Sequence, residues 1–168
     1  MLNYGAKAQL QFGYKINELV NAGYENYTPK SPSGLEKLTY TADKFSNYGL
    51  KFAGSSLLLT DSTTLRLFFS KDENYDSSTT TLSCNDKTLS PGSKGNYITF
   101  DITGIAAPDV LDNQTVTFRK GGNSLVAEFC IRNYISNKYN TGGTLGDVVT
   151  ALHDYSVKAS AYFKGGSN

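Results

Sequence analysis

The side chains able to do chemistry in this chain are few, and their spacing tests each role in turn. The only histidine, His153, stands beside Asp154. A nucleophilic triad would need that imidazole in reach of a hydroxyl or thiol, with a carboxylate orienting its other nitrogen. Carboxylates available for paired acid–base work on a glycosidic bond are Asp72, Glu73, Asp76, Asp101 and Glu128, and that reaction needs two of them facing each other across a cleft. The run DENYDS places Asp72, Asn74 and Asp76 at alternate positions, as oxygen ligands alternate in a calcium loop. Two cysteines, Cys84 and Cys130, lie 46 positions apart with no CxxC pair. There are 12 tyrosines and no tryptophan, so any sugar-stacking platform would be built from rings such as Tyr75, Tyr97, Tyr134 and Tyr139.

Most of these patterns fall short of a site. His153 is one step off an apolar helical stripe, and neighbouring helix side chains diverge by about 100°, so it reads as a solvated flank residue. Nothing marks two of the carboxylates as partners, and Glu128 and Arg132, four apart on one expected strand, read as a surface pair. In the DENYDS loop, Ser77 stands where an EF-hand has its glycine and Ser83 where it has its bidentate glutamate, so a solvated acidic turn is the reading taken there. One histidine and no CxxC exclude the usual zinc sites. No cofactor is implied. The cysteines read as small strand residues, with a disulfide left open. Among the tyrosines, the face with Tyr97, Thr99 and Asp101 is the best candidate for a glycan surface, the other exposed rings reading as rim packing.

The elements that would hold these residues follow from periodicity. Leu145, Val148, Val149, Leu152, Tyr155, Ala159, Tyr162 and Phe163 recur at helical steps, predicting an amphipathic helix over 144–163. Thr144 and Asp147 suggest a capping box, and Gly165 and Gly166 a stop. The opening YGAKAQLQF echoes YSVKASAYF near the end. An N-terminal helix over 1–13 is therefore expected, cut in its middle, with Met1 read as a boundary artefact, followed by a surface connection over 14–34.

From 35 to 140 the pattern is of strands. LLLT and TLRLFFS form one hairpin, TTLSC and KTL a second through Asn85 and Asp86, and QTVTFR with SLVAEFCIRNYI a third. The expected inward residues are Leu65, Leu67 and Phe69, then Ile98, Phe100 and Ile102, then Val116, Phe118, Leu125, Ala127, Phe129 and Ile131. APDVLD is at most one helical turn. No helix separates consecutive strands, so the fold expected is mainly β. It would be an immunoglobulin-like antiparallel sandwich of about seven to nine strands with a helix at each terminus, in a single module.

The order of NYGAKAQLQFGY, LLLTDSTTLRLFF, YITFDITGIAAPDVLDNQTVTF and ALHDYSVKASAYF resembles a poorly characterised module. That module occurs in large secreted or cell-surface proteins of gut anaerobic Gram-positive bacteria. The resemblance implies an extracellular, non-enzymatic structural or adhesion unit of a multidomain protein. Its partners would be neighbouring modules of the same polypeptide, and glycans or surface proteins. The alternative is a carbohydrate-binding module using surface tyrosines.

Composition agrees with that class. With 16 basic and 15 acidic residues and no basic run, nothing would neutralise a phosphate backbone or dock on an anionic membrane. No apolar run reaches the roughly 20 residues of a membrane span. Neither nucleic-acid binding nor membrane insertion is expected.

Overall fold

A computed structural model describes residues 31–41, 43–60 and 62–165. The expected helix over 1–13 and most of the connection over 14–34 lie outside the described residues. Among the described residues, eight strands form two antiparallel sheets: β1 (Leu50–Leu59), β2 (Thr63–Lys71), β3 (Thr80–Cys84), β4 (Lys87–Leu89), β5 (Pro91–Lys94), β6 (Tyr97–Ile105), β7 (Gln114–Lys120) and β8 (Asn123–Phe129). One sheet has the order β1-β2-β6-β5 and the other β4-β3-β7-β8. Among the described residues the α-helices are α1 (Ile131–Lys138) and α2 (Gly143–Lys164). The chain divides into two compact units. The first comprises Leu38–Ala106 and Asp112–Ile131 and holds both sheets; the second comprises the described residues 31–37, Ala107–Leu111 and 132–165.

Within the sheet unit, alternation along β2, β6 and β7 turns Leu65, Leu67, Phe69, Phe100, Ile102, Val116 and Phe118 inward, where all are buried. Phe69 of one sheet meets Phe118 and Phe129 of the other edge-on, at centroid distances of 5.9 and 6.3 Å. Phe45, just before a single 3-10 turn at Ser46–Tyr48, drops into the same cluster. It lies 4.9 Å from Phe118, 5.6 Å from Phe69 and 6.0 Å from Phe129, inside the 4.5–7 Å range of productive ring pairs. The turn ends on Gly49 with φ +69°, and a Cβ there would lie 2.3 Å from the Tyr75 backbone nitrogen. Only glycine permits that approach of the β2–β3 loop.

The structure departs from the expected elements in four places. β8 ends at Phe129, and Ile131 is the buried first residue of α1 rather than the end of a strand. Ile131 and Ile135 are both fully buried, the four-residue step of a helix rather than the two-residue step of a strand. The strand region therefore stops well short of residue 140, and Leu125 is only half-buried. β1 begins at Leu50, seven residues earlier than the LLLT run suggests, because Gly54, Ser55 and Ser56 and a bulge between Phe52 and Gly54 break its alternation. PGSK, which carries no apolar pattern, forms the edge strand β5, a position where proline is tolerated.

The fourth departure is in part of the face that α2 buries: Val149, Leu152 and Ala159 of the expected stripe are buried, but its ends are not. Gly146, Val149, Thr150, Leu152, His153, Ser156 and Ala159 are buried, whereas Leu145, Tyr162 and Phe163 are 43%, 78% and 69% exposed. A Cβ on Gly146 would lie 2.9 Å from the Tyr139 carbonyl oxygen, so at this position the helix lies close against the turn at Tyr139–Thr141. No side chain caps the helix; Gly142 and Gly143, both at positive φ, lead into it in place of the expected Thr144 cap. At its end, Lys164 pairs with Asp109 at 2.8 Å. Asp109 closes the 3-10 turn Ala107–Asp109, the short helical turn expected in APDVLD. Among the described residues no helix is long and apolar enough to cross a membrane.

Two substitutions test this account. Phe45→Ala should cost about 3–5 kcal/mol in urea unfolding, the range for a buried aromatic; a loss below about 1 kcal/mol would show that the cluster closes without it. Asn85 and Asp86 join β3 to β4 with φ of 49° and 61°, a left-handed pair that favours glycine at its second position. Asp86→Gly should therefore raise stability by about 0.5–1 kcal/mol.

Candidate functional site

His153 is buried, not solvated as the sequence suggested, because α2 turns that flank inward. Its Nε2 lies 3.1 Å from the Ser33 carbonyl oxygen. A carbonyl only accepts, so Nε2 carries the proton there. Nδ1 lies 3.4 Å from Asp154 Oδ1, longer than an ordinary hydrogen bond. The imidazole thus holds residues 31–37 against α2, and Lys37 Nζ, donating to Asn137 Oδ1 at 2.8 Å, ties the same segment to α1.

Most of the candidate carboxylates are likewise committed. Asp72 Oδ1 accepts the Asn74 amide at 2.8 Å, and Asp76 Oδ1 accepts both the amide and the hydroxyl of Ser78, at 2.8 and 2.7 Å. These are Asx turns, the local use of aspartate that builds a loop. Lys120 donates to the Asn74 carbonyl oxygen, placing an ammonium where a calcium ligand was considered. No group of three or more metal-binding side chains occurs among the described residues. Glu73 is exposed on the same loop. Glu128 accepts from Asn113 at 2.9 Å, while Arg132 donates to the Leu111 carbonyl oxygen at 2.7 Å. The expected strand pair of Glu128 and Arg132 does not exist, since Arg132 belongs to α1.

The four tyrosines are divided between the two compact units. Tyr75 is half-buried on the β2–β3 loop with its hydroxyl enclosed, and burial pushes its pKa up, with Asp76 adding to the shift. Tyr97 is 43% exposed on β6, edge-on to Phe68 at 6.1 Å. Tyr134 and Tyr139 are half-buried in α1 and the turn after it, in the other compact unit. Cys84 and Cys130 are both buried and are not bonded to each other. Cys84 pairs with Val116 and Val116 with Ala127. Cys130 is thus two strand spacings away, about 10 Å, and three residues further along, about 10 Å. A disulfide needs Cα atoms within about 7 Å.

What the sheet register does assemble is a cleft of about 640 Å³ on the β2–β6–β5 sheet and the β3–β4 hairpin. Arg66 on β2 pairs across the ladder with Asp101 on β6. The guanidinium forks onto the carboxylate, Nε to Oδ1 and Nη2 to Oδ2, both at 2.7 Å. Next along β6, Thr99 pairs with Gly92 of β5, and a Cβ on Gly92 would lie 2.8 Å from Thr99 Oγ1. The glycine leaves this strand bare over the cleft. Asn85, Lys87 and Thr88 of the hairpin line the opposite wall. Of the suggested glycan face, Thr99 and Asp101 line this cleft and Tyr97 does not. The β3–β4 hairpin was read from sequence as a hairpin, but neither it nor Arg66 was singled out as part of a site. An arginine and an aspartate 35 residues apart carry no local signal, and only the β2–β6 register joins them.

The Asp76 turn carries a pH signature. Its hydrogen bonds from Ser78, chiefly the hydroxyl and then the amide, lower its folded-state pKa below the ordinary aspartate value, with Lys120 a minor contributor. Its contribution to stability is therefore full above the unfolded pKa and is lost as pH falls through the depressed folded value. An NMR titration of the carboxyl should show the low midpoint. Asp76→Asn should remove that component from the acid limb of the stability profile; an unchanged limb would show that the turn does not depend on the charge. Comparison of the chain with protein-family models, curated proteins and solved structures finds no match.

Proposed function

We propose that the chain is a non-catalytic, extracellular structural or adhesion module of a bacterial surface or secreted multidomain protein. The observation that carries this reading is the commitment of its chemistry-bearing groups to the fold. His153 bonds to Ser33, Asp72 and Asp76 to their own loop, Asp101 to Arg66 and Glu128 to Asn113. A general acid or nucleophile needs a group free to exchange protons or bonds with substrate.

Support for an immunoglobulin-like sandwich comes from the strand orders β1-β2-β6-β5 and β4-β3-β7-β8. These follow the A-B-E-D and C′-C-F-G orders of that fold. Such modules act as spacers and as scaffolds for binding faces, and neighbouring modules of the same polypeptide are the partners that this role implies.

A second reading, carbohydrate binding, is favoured by the polar cleft beside Arg66 and Asp101, in place of a tyrosine platform. Antibody raised against the purified chain should label intact producing cells or their medium, and brief external protease should strip the cell-bound label. Label that appears only after lysis would overturn the extracellular assignment.

A further inference from the structure

We propose that the cleft between the outer face of β6 and the β3–β4 hairpin is a saccharide-binding site, with the Arg66–Asp101 pair as its central polar contact. This rests on the second reading above and replaces its surface tyrosines with a defined site. At about 640 Å³, the cleft falls within the roughly 300–1,000 Å³ of small-ligand sites. Its lining sets the ligand chemistry. Amide, hydroxyl, ammonium, guanidinium and carboxylate groups are contributed by Asn85, Thr88, Thr99, Lys87, Arg66 and Asp101, and no aromatic ring is present. An apolar ligand would strip water from these groups without replacing its hydrogen bonds, whereas a polyhydroxylated ring offers a donor and an acceptor at every hydroxyl.

The central pair is built to meet such a ring. The fork to Asp101 uses two of the five N–H groups of Arg66, and no described residue accepts from the others. Each Asp101 oxygen accepts one of those bonds and keeps a lone pair. Their side chains are 23% and 33% exposed, so the pair is held rigidly by the sheet yet reachable. A vicinal diol can then donate to the carboxylate from one hydroxyl while its neighbour accepts from the guanidinium.

The hairpin supplies the second observation. Asn85 and Asp86 sit at positive φ, where glycine would be easier, and this conformation places Asn85 on the cleft wall.

The experiment is affinity electrophoresis of the full chain in gels containing arabinoxylan, pectin, soluble starch or gastric mucin, followed by titration of the oligosaccharides from any retarding gel. The wild type should be retarded on at least one. Asp101→Asn, which keeps the shape of the pair, should weaken binding at least tenfold. Asn85→Gly, which keeps the left-handed turn and deletes the amide, should weaken it several-fold with an unchanged amide NMR spectrum elsewhere. Tyr97→Ala, outside the cleft, should stay within twofold. No retardation on any polysaccharide would overturn the proposal, as would retardation that survives both cleft variants. Binding lost only in Tyr97→Ala would overturn the cleft while leaving carbohydrate binding standing.

Discussion

The fold depends on Phe45. Two sheets whose inner strands carry large rings leave a gap at the end where β2 and β8 bring Phe69 and Phe129 together. A ring from outside the strands fills it, in contact with Phe52, Phe69, Phe118 and Phe129. Tyr40 extends the cluster, stacked on Phe129 at 5.2 Å, and its hydroxyl donates to the Glu128 carbonyl oxygen. Burial holds that phenol far above its usual pKa, with Cys130 and Glu128 adding to the effect, so it remains a neutral donor. Tyr40 and residues 43–49, to which the sequence reading assigned no particular strand, therefore help close the core.

That closure has consequences at the surface. Once Phe45 fixes the turn at Ser46–Tyr48, Gly49 brings the β2–β3 loop close, and Asp72 N donates to the Gly49 carbonyl oxygen at 3.1 Å. The loop then needs its own amides satisfied, and Asp72 and Asp76 do so. The alternate Asp, Asn and Asp that suggest a cation site are spent on building a turn. The same sequence pattern serves both purposes, because both need oxygens at alternate positions; the competing donors distinguish them.

Legibility followed periodicity. Strands with a clean two-residue alternation, such as Leu65-Leu67-Phe69 and Ile98-Phe100-Ile102, show the same inner face in sequence and structure. Elements without one were missed: β5 has no apolar residue beyond Pro91, and the first half of β1 is interrupted by glycine and serine. α1 was hidden because Phe129, Ile131 and Ile135 continue an apolar run while the step changes from two to four. On α2 hydropathy pointed correctly to Val149, Leu152 and Ala159, which are buried, but also to Leu145, Tyr162 and Phe163, which are exposed. Gly146, where the Tyr139 carbonyl oxygen comes close, carries no hydropathy signal.

The cleft lies further from the sequence than any of these, because no single element contains it. Asp101 and Thr99 come from one alternating strand whose other face is core, so their positions follow from Ile98, Phe100 and Ile102 facing inward. Arg66 reaches Asp101 only because β2 and β6 pair in a register that sets Leu67 opposite Phe100 and Phe69 opposite Ile98. A slip of one residue in that ladder would send every side chain of the strand to the other face, burying Arg66 and exposing the rings. The packing that excludes water from the core is thus also what aligns the fork outside it. A polar arrangement on the outer face of a sheet inherits its geometry from the hydrophobic side, and the rigidity of the Arg66–Asp101 pair follows from Phe69 and Phe100 behind it.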